Sequence, residues 1–324
     1  MPKTRNIALD RYRGLAIIMM TIVNCFDATP LIPAWLKHAP DYGYTIADLV
    51  APMFLFAIAV TYRPGYLRRL EKGAKKLDTV MHFVTRYLAL IGVGCILSTF
   101  EPMLMGHPTN WGVMQAIGVA GLLTLLVVKL PLIARAIVGV VVLAGYQFAN
   151  TYIDGFRNMV FAPESGHGGI GGAVAWGCML ILATVLMELH EKGFKPFAIA
   201  TGILGILSAG AWAWWKFAGP VTYIEIAKNR VSAGYVIVSL FFCCALYIFI
   251  EEATRALPKI KAGVVSFWGE NPIFFYMVHL MMIGVAKGLF AETGLAIIPA
   301  CAVVLTLMSL LAWTFHRKKI YISL

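Results

Sequence analysis

Ten apolar stretches, at about 11–27, 45–62, 79–99, 113–129, 132–149, 171–188, 196–215, 232–250, 270–290 and 295–315, divide this 324-residue sequence, with short polar or Gly/Pro-bearing links between them. Each is close to the ~20 residues that one helical bilayer crossing needs. No water is present in the bilayer core to bond free backbone groups, so helices that close their own hydrogen bonds are the expected form. The alternating segments of a lipid-facing barrel are absent. The chain is 60% hydrophobic and 13% charged, against roughly a quarter charged for soluble proteins, which argues against a soluble enzyme. The expected fold is all-α: a polytopic helix bundle of about ten transmembrane helices, forming a single domain over residues 1–324. A basic start and an apolar stretch from Gly14 to Phe26, with no small-x-small cleavage site after it, read as a retained first helix.

The formal charge of +11 invites a nucleic-acid reading, but its distribution follows the links between spans. Of the 27 Lys and Arg residues, 20 fall on the side that holds both termini, six fall on the other, and Arg86 lies within a span. By the positive-inside rule this predicts N-in and C-in, with no nucleic-acid partner. The six cysteines lie in or at the ends of apolar runs with no zinc-like spacing, so neither a metal site nor a disulfide scaffold is expected. The exterior links 28–44, 100–112, 150–170 and 216–231 are longer than the opposite turns and hold Pro, Gly, Trp, His and acidic residues, which marks them as candidates for function. The run Gly166-His167-Gly168-Gly169-Ile170-Gly171-Gly172 lacks the Lys-Ser/Thr of a phosphate loop and reads as a re-entrant or helix-start segment.

Ionisable groups near or within a bilayer are functional suspects by default. The densest set runs from Asp10 to Asp48, with Asn24 near the outer end of the first span and His38 and Asp48 at the outer entrance to the second. An imidazole suits proton acceptance from an attacking amine or hydroxyl near neutral pH. Asp48 would orient it, as a carboxylate does in a Ser-His-Asp arrangement. The alternative is an interfacial histidine beside a helix N-terminal charge. Tyr276 and His279, at i and i+3, share a helix face, and either a common cavity or an interhelical hydrogen bond would explain them. Embedded Arg86, Glu270 and His279 would also suit an ion-coupled secondary transporter.

The block Leu9-Asp10-Arg11-Tyr12-Arg13-Gly14 through Asn24, then Lys37-His38-Ala39 and Thr45-Ile46-Ala47-Asp48-Leu49-Val50-Ala51-Pro52, closely resembles the heparan-alpha-glucosaminide N-acetyltransferase family. Gly112-Val113-Met114-Gln115 and the late segment Gly269-Glu270-Asn271-Pro272 through Tyr276 and His279 are similar to two further motifs of that family. The resemblance implies a bacterial-type short member of the transmembrane acyltransferases, without the family's large luminal N-terminal domain. It also implies an acetyl group taken from cytosolic acetyl-CoA to a sugar or glycan amine on the far side, with no metal. It carries over Asn24, His38 and Asp48 as catalytic residues, and Arg13, Gln115, Asn271, Tyr276 and His279 as cofactor contacts.

Arg63, Arg68 and Arg69 are candidates for the CoA phosphates, although the positive-inside rule explains them equally well. Ala116, Ala51 and Asp41-Tyr42 depart from the family pattern and bear on the acceptor more than on the chemistry. The spacing from Arg13 that ends in His in the wider acyltransferase group ends here in Asn24. An O-acyltransferase acting on an envelope glycan or lipid is the neighbouring alternative, and both direct transfer and an acetyl-histidine intermediate remain open. The expected partners are acetyl-CoA, the acceptor, the lipid bilayer and, as one option, a second copy of the chain. The expected location is a bacterial inner membrane, with the active-site mouth outside.

Overall fold

The structure is a computed structural model that describes residues 5–26, 29, 32–105, 111–160, 167–218, 225–257, 263–290 and 296–322. Gly166 of the glycine run, Lys259 and Lys261, and parts of all four exterior links lie outside the described residues. Twelve α-helices are present among those described: α1 (Ile7–Phe26), α2 (Ile46–Glu71), α3 (Lys76–Met105), α4 (Val113–Val127), α5 (Leu132–Tyr152), α6 (Asp154–Val160), α7 (Gly169–Glu191), α8 (Phe194–Ala218), α9 (Ala233–Ala256), α10 (Val264–Glu270), α11 (Pro272–Phe290) and α12 (Ile297–Lys318). The ten apolar stretches each become one helix, and the two seven-residue helices α6 and α10 are additions.

Eight of these helices, α2, α3, α5, α7, α8, α9, α11 and α12, are long and apolar enough to cross a membrane, so the protein is a polytopic helical membrane protein. Helix α1 has the length but carries Asp10, Arg11 and Arg13 in its first half, and α4 has only 15 residues. The most enclosed span is α7, with 83% of its apolar window buried, against 22% for α3 and for α8. Small residues explain its central place: Gly171, Gly172, Ala173, Ala175, Gly177 and Ala183 are all buried, which lets α2, α4, α5, α8 and α9 pack against it. Ile133, Val140, Ile206 and Leu307 lie on the outer faces, as expected of surfaces that meet lipid. Five of the six cysteines are buried, and Cys95 is exposed.

The tightest approach is between α1 and α10. A methyl group on Gly14 would stand 1.7 Å from the Val265 carbonyl oxygen, and one on Gly269 would stand 1.8 Å from the Asp10 carbonyl oxygen. The two glycines are reciprocal, each clearing the other helix's backbone, and both belong to motifs noted in the sequence. Gly14→Ala should therefore separate α1 from α10 at a cost of about 1–3 kcal/mol, seen as a lowered melting midpoint. Gly145→Ala, at a helical position with nothing within 4 Å, should leave the midpoint unchanged or slightly raised.

Candidate active site

Thr45 adopts an extended conformation (φ −123°, ψ 173°) and caps α2. Asp48, three residues on, turns its carboxylate back over that helix start. Its Oδ2 accepts the backbone N–H of Thr45 (3.0 Å), the backbone N–H of Ala39 (3.2 Å) and lies 3.0 Å from the Thr45 hydroxyl. Its Oδ1 lies 2.8 Å from His38 Nδ1. The Asp48 side chain is fully buried, while that of His38 is 34% exposed. A carboxylate only accepts, so the shared proton sits on His38 Nδ1, and the neutral ring carries its lone pair on Nε2.

Pro52 lies one turn beyond Asp48 and has no N–H to give the Asp48 carbonyl. The Tyr235 hydroxyl from α9 supplies that hydrogen bond instead, at 2.8 Å. The short 3-10 turn Ala34–Leu36 leads into His38, and the loop behind it is anchored at three points. Asn229 donates to the Pro40 carbonyl (3.1 Å), Gly43 N–H donates to the Ile226 carbonyl (2.8 Å), and Arg230 donates to the Tyr42 hydroxyl (2.7 Å). The imidazole is therefore held from the loop side as well as from α2.

His38, Asp48, Asn24, Gln115 and Tyr276 line one cavity of about 240 Å³. It sits where α1, α3 and α11 end and where α2, α4 and α7 begin, with Lys228 from the segment ahead of α9, which shows that these spans run up and down through the bundle. Asn24 is oriented by a relay. His279 Nδ1–H donates to the Tyr276 carbonyl, so its Nε2 must accept, and Asn24 Nδ2 donates to it at 3.1 Å. Asn24 is thus held with its N–H₂ group against His279, which leaves a second N–H uncommitted to that bond. Gln115 caps its own helix: its Oε1 accepts the Gly112 N–H (3.1 Å) and its Nε2 donates to Ser98 (2.8 Å). Gly94 makes room for it, since a methyl there would stand 2.5 Å from Gln115 Oε1.

The remaining sequence candidates lie elsewhere. Arg68 and Arg69 line a second cavity of about 310 Å³ with Lys72, His82 and Arg86, at the end of α2 and the start of α3. That is the opposite end of the bundle. Arg63 is drawn towards α7, 3.3 Å from Glu188, which also pairs with the fully buried Arg135. Arg13 stands 4.0 Å from Asp10. Asn271 is fully buried and fastens the C-terminal segment, donating to the Ile320 carbonyl (3.0 Å) and accepting the Ile322 N–H (2.6 Å). Sequence reasoning did not single out Trp111, His167, Lys228 or Lys287 as site residues, yet all four line the cavity around His38. The glycine run around His167 was the one signal available, and the two lysines were visible only as exterior charges. Among the described residues no cluster of His, Cys, Asp and Glu is placed to hold a metal ion.

The catalytic-region model of heparan-alpha-glucosaminide N-acetyltransferase matches residues 5–163. The mouse (Mus musculus) heparan-alpha-glucosaminide N-acetyltransferase is 32% identical over 117 residues, which cover 34% of this chain and 17% of that protein. The human (Homo sapiens) protein of the same name is 31% identical over 124 residues, covering 36% of this chain and 18% of that protein. The aligned part therefore spans less than a fifth of either relative. The matched region, a little under half of the chain, contains His38, Asp48, Asn24 and Gln115, and over it the chain is similar to the heparan-alpha-glucosaminide N-acetyltransferase catalytic region.

Proposed function

We propose that the protein transfers an acetyl group from acetyl-CoA to the amine of a sugar or glycan on the extracytoplasmic side of a membrane, with His38 as general base. The observation that carries this reading is the His38–Asp48 pair, 2.8 Å apart, on the wall of a cavity that also holds Asn24. The Nε2 lone pair takes the proton of the attacking amine as the amine nitrogen bonds to the thioester carbon. The carbon–sulfur bond breaks, and the proton passes on to the departing thiolate, giving the N-acetyl product and CoA. The Asn24 N–H not used by His279 donates to the carbonyl oxygen as negative charge builds there. The buried Asp48 carboxylate stabilises the imidazolium formed between the two proton transfers.

The donor enters from the opposite end. Arg69 and Arg86 each have a buried Nε with no partner among the described residues, and with Arg68, Lys72 and His82 they make the second cavity cationic. Such a site suits the phosphates of CoA, because guanidinium groups bind phosphate through paired, charge-assisted hydrogen bonds. Phe54 lines the upper cavity and Ile58 the lower one. They are one turn apart on α2, about 6 Å of helix rise, and the reading has the pantetheine arm pass between them. The excess of Lys and Arg on the side of the arginine cavity supports placing that end in the cytoplasm, and the reading places the protein in a bacterial inner membrane.

Purified protein given acetyl-CoA and an amino sugar should release CoA thiol. His38→Ala should reduce that rate by about 10³-fold or more. An unchanged rate would remove His38 from the chemistry. The same variant should unfold within about 1 kcal/mol of the parent, whereas Asp48→Ala, which strands buried donors, should cost about 2–4 kcal/mol. Replacing both Arg68 and Arg86 with Ala should raise the KM for acetyl-CoA by about tenfold to a hundredfold with kcat nearly constant. A fall in kcat alone would move the phosphate site elsewhere.

A further inference from the structure

The upper cavity carries two polar atoms that the described residues leave unsatisfied. Trp111 Nε1 and His167 Nδ1 are both shielded from solvent and without a hydrogen-bond partner, and both residues line the cavity that contains His38. Buried polar atoms are seldom left in that state, and two such atoms on one cavity wall point to a ligand that answers them. An indole N–H only donates, whereas an imidazole nitrogen donates or accepts according to tautomer.

The fold goes to some length to place His167 there. It is the first of three successive residues in the left-handed region: His167 (φ 55°), Gly168 (φ 79°) and Gly169 (φ 57°). That conformation is uncommon for a residue with a side chain. It is held by the Trp176 indole, which donates to the His167 carbonyl at 3.1 Å, and by the Gly172 N–H, which donates to the Gly168 carbonyl at 2.7 Å. Neither glycine tolerates a side chain: a methyl on Gly168 would stand 2.9 Å from Val231, and one on Gly172 would stand 2.9 Å from the His167 carbonyl oxygen. The glycine run is thus a turn that sets an imidazole in the cavity wall at the start of α7. Burial first, then the nearby Lys228 and His38, push this imidazole well below its ordinary pKa, which favours the neutral ring.

We propose that Trp111 and His167 form the acceptor subsite, in which the indole N–H and the imidazole bond neighbouring hydroxyls of a sugar ring. The inference rests on the transferase reading above and deepens it, because it assigns two residues of this chain to holding the hydroxyls of the acceptor ring. A ring or chain without hydroxyls would leave both atoms unsatisfied, while a sugar offers a donor and an acceptor at each hydroxyl. In no hydrogen bond given above does either residue touch His38 or Asp48, so their loss should weaken acceptor binding and leave the base in place.

The test is calorimetric binding of glucosamine, with cyclohexylamine as the ring amine without hydroxyls, to the full chain in lipid nanodiscs with CoA present. Acceptor and donor KM values are measured beside it. Trp111→Phe and His167→Phe should each weaken glucosamine by about tenfold, leave CoA affinity unchanged and leave cyclohexylamine as weak as before. His167→Asn, which tolerates the left-handed backbone and still hydrogen-bonds, should stay within about threefold of the parent.

Three results would overturn the subsite: parent protein that does not bind glucosamine, parent that binds cyclohexylamine equally well, or Trp111→Phe and His167→Phe variants that keep parental glucosamine affinity. An equal loss of CoA affinity in those variants would overturn it too, by showing a structural role. Glucosamine binding lost in the variants, with no acetyl transfer by the parent, would keep the subsite and sink the transferase reading. Transfer that proceeds with glucosamine KM unchanged in the variants would sink the subsite alone.

Discussion

The buried carboxylate of Asp48 is the interaction on which the rest of this structure turns. It closes the first turn of α2 through the Thr45 N–H, fixes the incoming loop through the Ala39 N–H, and holds the His38 ring by Nδ1. An uncompensated charge in so enclosed a place would be very costly, and these donors are what make it tenable. The same hydrogen bonds that permit the charge therefore fix the imidazole's tautomer and aim. Pro52 and Tyr235 extend the arrangement: the proline frees the Asp48 carbonyl and a hydroxyl from α9 claims it, so α9 is tied to the same residue.

Around this point the bundle is assembled by close backbone approach rather than by large side chains. Gly14 and Gly269 let α1 and α10 touch, and the small residues of α7 let the neighbouring helices share one centre. In lipid, where apolar side chains gain little by meeting one another, such packing is the main source of association. The consequence for function is positional. With α1 seated against α10, Asn24 at its far end reaches His279 on α11. The amide is thus fixed relative to the cavity by contacts made some 15 Å away along α1 (about ten residues at ~1.5 Å each).

Much of this was legible in the sequence, for physical reasons that differ from residue to residue. The spans were readable because bilayer thickness sets their length. Helices α6 and α10 were not, since seven residues leave no periodic signature. The His38–Asp48 pair was readable because both partners lie within one loop and one helix start. The role of His279 needed tertiary contact: shared helix spacing with Tyr276 suggested either a cavity or an interhelical bond, and the two residues divide those roles between them. Asn271 illustrates the opposite case. Its place in a recognisable motif pointed to the cofactor, whereas in the fold its amide is occupied by the backbone of the C-terminal segment. Arg63 stood beside Arg68 and Arg69 in sequence, but helical geometry turns it towards Glu188 while the other two face the lower cavity. The glycine run marked the turn at His167, but the unsatisfied atoms of Trp111 and His167 are a property of three-dimensional surroundings and leave no trace in spacing.

The most direct measurement is a cryo-electron-microscopy structure of the protein with S-ethyl-CoA, a donor analogue that cannot transfer its ethyl group. The account predicts phosphates against Arg68, Arg69 and Arg86, a pantetheine arm running between α2 and α3 past Ile58 and Phe54, and the sulfur beside Asn24 within reach of His38 Nε2. Density for the analogue at any other place, or a His38 ring turned away from a sulfur that sits in the upper cavity, would contradict it.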